Sequence, residues 1–336
     1  MPKLCVPCQT FIDFPYCIFI MSRPRGILVT GAHRSGSTWV GRMLAHSHEV
    51  QYIHEPFNLK CRQGICRAEF KKWYCYVDNH SDNRQAVYTA LSDTLSFRYA
   101  LGAALGDIEN AKDIIRTVRD SLQMGRGRLF NLRPLMKDPL ALFSTEWLSN
   151  GFGMDVVILI RHPAAFVSSL KVKGWSFPFH HLLEQPALME RYLSPFRNEV
   201  YEYSKNEKDI ISQAILLWKI THYVISQYQE NHPNWLYLRH EDLSRNPLDE
   251  FSKLYSQLGL DFTSDIQNKI KLSSGSENPT ETSRNIHNVK RDSAANIWNW
   301  QKRLSKDDIY RIYDEVGDIS SLFYKDNDWA LSALAS

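Results

Sequence analysis

The stretch GILVTGAHRSGSTW, residues 26–39, passes from an apolar, β-branched run into a glycine- and serine-bearing turn and then into a helical pattern. Gly26-Ile-Leu-Val-Thr30 reads as a buried parallel strand, and Trp39 to His46 as the helix that follows. Between them, Gly31 and Gly36 let the backbone turn tightly, so that successive amides can face an anion, and the helix start adds its partial positive charge. Ser35, Ser37 and Thr38 offer hydroxyl donors, and Arg34 offers a charged fork suited to phosphate oxygens. A nucleoside-triphosphate enzyme carries G-x-x-x-x-G-K-[ST] at such a loop. Here Ser37 stands at the lysine's place, and the basic residue lies inside the loop. The missing lysine, with no acidic strand end of the magnesium-binding type, argues against phosphoryl transfer.

Outward from this unit the chain alternates strands and helices. Val50–His54 reads as a second short strand, closed by Glu55-Pro56. Asp155-Val-Val-Ile-Leu-Ile160 is the strongest strand, a continuous apolar run of the kind buried on both faces. Ala164 to Lys171 begins a helix, Ile210 to Gln229 is a long amphipathic one, Trp235–Leu238 is a last strand, and a helix from about Leu248 ends near Gly259. Ser273 to Thr282 is a polar loop, and Ala294 to Val316 again has helical spacing. The alternation predicts an α/β fold, a P-loop-type parallel sheet with helices on both faces. Residues 23–336 form a single domain in this reading, with a largely helical insertion at about 59–133 and a poorly specified extension over residues 1–22. Met21, just before the organised part, is a candidate start.

Composition fits a globular protein: 43% apolar and 23% charged residues over 336 positions. A formal charge of +3 gives no reason to expect nucleic acid or a membrane surface as partner, but permits a local basic pocket. No run is apolar enough for long enough to cross a bilayer; the best, Phe11 to Met21, is interrupted by Asp13 and Pro15. It also lacks a cleavage site, and the expectation is a cytoplasmic protein. Cys5 and Cys8 match C-x-x-C without a second pair to complete a zinc site, and Cys61, Cys66 and Cys75 read as reduced thiols, although an oxidising compartment would allow one disulfide. No metal is expected.

A second anion site follows the strong strand. Arg161-His-Pro-Ala-Ala-Phe-Val-Ser-Ser169 delivers Arg161 to the carboxyl edge of the sheet, where α/β ligands bind. Pro163 sits where a helix starts, and Ser169 lies about two turns along it. Together the two segments resemble the sulfotransferases. Arg34-Ser-Gly-Ser-Thr-Trp39 fits their 5′-phosphosulfate loop at every position, and Arg161 with Pro163 and Ser169 fits their 3′-phosphate motif. Leu238-Arg-His-Glu-Asp-Leu243, followed by Asn246-Pro247, is similar to a further family segment, with His240 in a tyrosine's place. Val289-Lys-Arg-Asp-Ser293 with Trp298 resembles the late basic loop, which makes Lys290 and Arg291 candidate contacts to the 3′-phosphate. The pattern is nearer the carbohydrate-modifying members than the cytosolic phenol and steroid type, which carry lysine where this chain has Arg34.

The resemblance implies transfer of a sulfuryl group from 3′-phosphoadenosine 5′-phosphosulfate (PAPS) to an acceptor hydroxyl, on a sugar of a polysaccharide or glycolipid. It implies that Arg34 through Trp39, with Arg161, Ser169, Lys290 and Arg291, hold the donor. The reaction needs a base for the acceptor proton and positive charge at the leaving oxygen, which Arg34 and the loop amides can supply. Glu55 is the expected base, a partly buried carboxylate with a raised pKa; His54 is its rival. In Met136-Lys-Asp-Pro139, Lys137 can stabilise sulfuryl oxygens and Asp138 can orient the acceptor, or the two can equally form a local ion pair. The insertion and the aromatic run Gly174 to His181 are expected to shape the acceptor pocket. A kinase with an aberrant loop and a non-catalytic nucleotide binder are the competing readings.

Overall fold

The structure, a computed structural model, describes residues 24–275, 277–279 and 292–329. Its centre is a five-stranded sheet in the order β2-β3-β1-β4-β5, with β1 Ile27–Gly31, β2 Val50–His54, β3 Arg133–Lys137, β4 Asp155–Ile160 and β5 Leu236–Arg239. Every adjacent pair is parallel. Alternate side chains feed two cores. Leu28, Met136, Val156, Ile158 and Ile160 join one core, under the helices Pro163–Lys173, Ile210–Asn231 and Lys306–Ser320. Ile27, Val29, Leu135, Val157 and Leu159 join the other, under Ser37–Leu44, Pro247–Gln257 and Ser264–Ser274. Burying each such side chain stabilises the fold by about 2 kcal/mol. A one-residue slip of β4 would exchange its two sets between faces of different shape, so the register is strongly specified.

Helices thus cover both faces, as the alternation predicts. Three sequence expectations change. The excursion between β2 and β3 contains helices Arg84–Leu95, Leu101–Gly106 and Ala111–Leu129, but the stretch before them is irregular, and Arg133 already belongs to β3. That irregular stretch is held by side chain-to-backbone bonds, among them Ser144 Oγ to the Cys75 carbonyl and Val77 N–H to Ser144 Oγ, which periodicity does not report. Ser273 closes the helix Ser264–Ser274, capped by Thr263, instead of opening a loop. The tail pattern from Ala294 divides into short helices Ser293–Asn296 and Asn299–Arg303 and the longer Lys306–Ser320, whose start carries a capping box of Ser305 and Asp308.

No helix among the described residues is long and apolar enough to cross a membrane. Cys61, Cys66 and Cys75 are unbridged. The extension, with Cys5, Cys8 and Cys17, lies outside the described residues.

Candidate active site

The loop between β1 and the helix Ser37–Leu44 is shaped by two glycines and one strained arginine. Gly31 has φ +135°, and a Cβ there would lie 2.4 Å from the Leu159 carbonyl oxygen of β4. Gly36 has φ +97°, and a Cβ would lie 2.3 Å from Cδ2 of His240, whose ring packs directly on the loop. Arg34, at φ 67°, is a non-glycine in the left-handed region, a cost met at ligand-binding turns. The His33 amide donates to the Tyr74 hydroxyl (2.9 Å), which is also hydrogen-bonded to His33 Nδ1 (2.7 Å), so the irregular excursion props the loop from outside. Burial, then the Arg34 charge, lowers the His33 pKa to about 4, which keeps the ring neutral. The amides of Gly36, Ser37 and Thr38 have no hydrogen-bond partner among the described residues, and the buried Ser35 hydroxyl has none either. These donors are left available to a ligand.

The second motif folds onto the first. Arg34 Nε donates to Ser169 Oγ at 2.9 Å, and Arg161 Nη1 donates to the Arg34 carbonyl. A small polar pocket is lined by Arg34, Arg161, Ser169, Lys173, Asn296 and Arg303, together with Val172, and no carboxylate lines it among the described residues. The Trp175 ring lies 5.5 Å from the Arg34 guanidinium. Burial, then the charge of Arg303, lowers the Arg34 pKa, a sign that the cations are crowded.

The backbone of Arg161 is pinned from behind: Trp218 Nε1 donates to its carbonyl at 2.9 Å, and its own amide donates to His222 Nε2 at 3.5 Å. The next amide, of His162, donates to the buried Glu241 carboxylate at 3.1 Å. Glu241 also accepts from the Tyr324 hydroxyl at 2.9 Å, and burial raises its pKa. Thus the Glu241 segment after β5 acts as a strut for the second site.

On the other side of the loop, at the ends of β3 and β2, Lys137 and Glu55 form an ion pair. Lys137 is fully buried, its stem packed against the helix Ser37–Leu44 where Gly41 leaves room. The Glu55 amide donates to the Lys137 carbonyl (2.9 Å), and Asn58 Nδ2 donates to its carboxylate (2.8 Å). This overturns the raised pKa expected for Glu55. Burial pushes it up, but the Lys137 charge, the charge of His54 and two hydrogen bonds outweigh burial and hold it below the usual range. Burial lowers the Lys137 pKa, against the pull of Glu55. His54, the rival base, is 45% exposed, with Nε2 3.9 Å from Glu55 and Nδ1 3.2 Å from the Tyr52 hydroxyl.

Asp138 is corrected as well. Its oxygens accept from the Phe57 amide at 2.6 Å and the Leu140 amide at 3.0 Å, so it closes a turn instead of facing an acceptor. Burial and the Glu55 charge push its pKa up to about 7.

Arg34, Ser35, Gly36, Ser37, Thr38, Arg161 and Ser169 are therefore brought together, with Lys137 one strand from the loop and Glu55 two. Trp39 is 9% exposed, edge-on to Phe251, with its N–H to Ser273 Oγ at 3.4 Å. Lys290 and Arg291 lie outside the described residues. The aromatic run divides: Phe179 is core, Phe177 packs against that core, and Trp175 covers Arg34, so the run does not form one acceptor wall. Sequence reasoning missed Lys173, Asn296 and Arg303. Their only signal was proximity in sequence to the expected motifs: Lys173 closes the helix that carries Ser169, and Asn296 and Arg303 follow the late basic loop.

A sulfotransferase family model matches residues 24–264. Carbohydrate sulfotransferase 1 of Danio rerio is 31% identical over 356 residues, covering 91% of this chain and 80% of the relative. Among solved structures, the sulfotransferase domain from the curacin biosynthetic pathway matches with TM-score 0.47 at 16% identity, covering 90% of this chain and 99% of its own. Mouse sulfotransferase SULT7A1, solved in complex with PAP, matches with TM-score 0.44 at 11% identity, covering 88% and 83%.

Proposed function

This chain belongs to the sulfotransferase family, and from that premise we propose that it transfers the sulfuryl group of PAPS to a carbohydrate hydroxyl. Family membership sets the kinase reading aside. The observation that carries the proposal is the meeting of the two motifs through Arg34, Arg161 and Ser169, with unpartnered loop donors on one side and several converging cations on the other. This donor set fits a ligand with two anionic groups. The loop amides and hydroxyls would hold the 5′-phosphosulfate, and Arg161, Ser169, Lys173 and Arg303 the 3′-phosphate, with Arg34 between them.

When bound, PAPS supplies an activated sulfuryl group and a phosphate leaving group. The chain's own residues must take the acceptor proton and meet developing negative charge. Glu55 is our assignment for the proton. At neutral pH it is ionised and able to accept, but its pairing with Lys137 makes it a weak base. Should the Lys137 ammonium turn toward the sulfuryl oxygens, Glu55 loses the charge that lowers its pKa and keeps the burial that raises it. One movement of Nζ then strengthens the base and supplies the electrophilic cation. His54 is exposed and sits behind Glu55 as a second proton carrier.

The test is binding of 3′,5′-adenosine bisphosphate, followed by thermal unfolding, with ATP and magnesium in parallel. At a hundred times Kd the bisphosphate is expected to stabilise the protein by about 2.7 kcal/mol. A response to ATP alone overturns the proposal. Bisphosphate binding without turnover on any hydroxyl acceptor leaves a non-catalytic binder.

A further inference from the structure

We propose that the helix Ala111–Leu129 is a docking surface for a partner helix whose apolar seam is flanked by acidic residues. An ordinary surface helix buries its apolar stripe, and this one is turned the opposite way. Thr117, Asp120, Met124 and Gly127 are buried against the protein. Ile115, Val118, Leu122 and Leu129 are 54% to 78% exposed. With Ala111 and Gly125, also exposed, they recur at intervals of four, three, four, three and four residues. Such a period is the seam of a coiled coil, here turned to solvent. A Cβ at Gly125 would meet nothing within 4 Å, so the space above the seam is open. The short helix Leu101–Gly106, packed beside it, exposes Leu101 and Leu105 as well.

The charges beside the seam select the partner. In a coiled coil the flanking positions, e and g, face their counterparts across the seam and decide which helix pairs. With Ile115, Leu122 and Leu129 at a and Ala111, Val118 and Gly125 at d, the e positions are Lys112, Arg119 and Arg126. The g positions are Ile114, Ser121 and Arg128. One flank is therefore wholly basic. The two acids of the helix lie off the seam and are engaged: Asp113 pairs with Arg116 at 2.9 Å, and buried Asp120 holds both Arg62 and Arg119. Arg126 donates to the neutral Gln51 side chain at 3.1 Å, and Lys112 and Arg128 make no ion pair among the described residues. A second copy of this chain fits poorly. Antiparallel pairing sets the basic flank against itself, and parallel pairing sets it against Ile114, Ser121 and Arg128. A lipid surface also fits less well, because an interfacial helix turns its polar face to water and here the opposite face is packed on the protein. A helix with Glu or Asp at its own flanking positions covers the apolar seam and pairs with its cations together.

The test titrates the full chain, by calorimetry in low and moderate salt, with three designed three-heptad peptides. Two carry a leucine seam, flanked at e and g by Glu in one and by Lys in the other, so that like charges keep each from pairing with itself. The third keeps the Glu flanks and has Ser along the seam. The Leu/Glu peptide is expected to bind about tenfold or more tighter than either of the others, and to weaken as salt rises. Leu122→Asp, a change at an exposed position, should remove that binding. Lys112→Glu/Arg126→Glu should reverse the preference, so that the Leu/Lys peptide binds the tighter. The thermal midpoint and bisphosphate affinity should hold in both variants, since the seam lies on the face opposite the buried one. Equal affinity for the acidic and basic peptides, no binding of any of them, unaltered affinity in Leu122→Asp or an unchanged preference in the charge-swapped variant overturns the proposal. Dimerisation of the parent in sedimentation, or its capture by phosphatidylserine vesicles, overturns it too when Leu122→Asp abolishes the effect. The first assigns the face to a second copy and the second to lipid.

Discussion

The two ends of the candidate active site treat charge in opposite ways. At the donor end, Arg34, Arg161, Lys173 and Arg303 converge on one pocket with no carboxylate in its lining among the described residues. At the transfer end, a single buried lysine is already neutralised by Glu55. In the proposed reading, the first arrangement offers several cations to one anionic ligand. The second is satisfied at rest, so its charges become available only when the pair opens. In the proposed reading, binding and chemistry are thus separated along one sheet edge, with a cluster of cations at one end and a paired lysine at the other.

The largest effect is expected from breaking the transfer-end pair. Lys137→Met leaves Glu55 without its partner in a largely buried setting, which should cost about 3–5 kcal/mol of stability. Turnover should fall by about 10²–10⁴-fold with bisphosphate affinity held within a factor of about three. Adding Glu55→Gln should restore most of the stability and none of the turnover. A double variant as unstable as the single one in urea titrations means that the pair is not what the lysine contributes.

At the donor end the balance should reverse. Arg303→Ala removes one of several crowded cations, so the unliganded midpoint should move little. Bisphosphate affinity should weaken by about 10–100-fold, the scale of a charged hydrogen bond. Unchanged affinity in calorimetry would place the 3′-phosphate elsewhere.

A smaller effect sharpens how the donor end is supported. His162 and His222 are buried and, mainly through burial, have pKa values lowered to about 3. Unfolded rings take up protons as the pH falls below about 6.5, while the folded ones do not until about 3. The stability they contribute is therefore full above the unfolded value and is lost as the pH falls toward the folded one. At pH 5 the loss is about 2 kcal/mol for each ring. Urea midpoints at pH 7.5 and 5 should show it. His222→Gln, which can still donate to the Trp218 carbonyl and accept from the Arg161 amide, should remove one ring's share. An unaltered slope in that variant assigns the acid sensitivity to other groups.

Legibility followed the range of the forces involved. The strands β1 and β4 were readable because a both-faces-buried strand is largely apolar, and the phosphate loop because its backbone turns demand glycine at set positions. Glu55, Lys137 and Arg161 were readable as strand-end residues. Their states were not. Whether Glu55 is a strong or a weak base depends on Lys137, which is remote in sequence and reaches Glu55 only because β3 lies beside β2. Asp138 looked available beside Lys137, yet it is consumed by amides brought to it by the turn. Arg303 had no signal of its own, since its meaning comes from a helix that returns to the sheet edge late in the chain.

By itself the sequence determined the parallel α/β sheet, the anion-binding loop, the second motif and the family to which they point. These rest on short spacings, where backbone geometry and side-chain periodicity act locally. Only the tertiary structure decided which cations gather in one pocket and which one is neutralised by Glu55. Electrostatic pairing acts through space, and it is the order of the strands that sets which distant residues become neighbours.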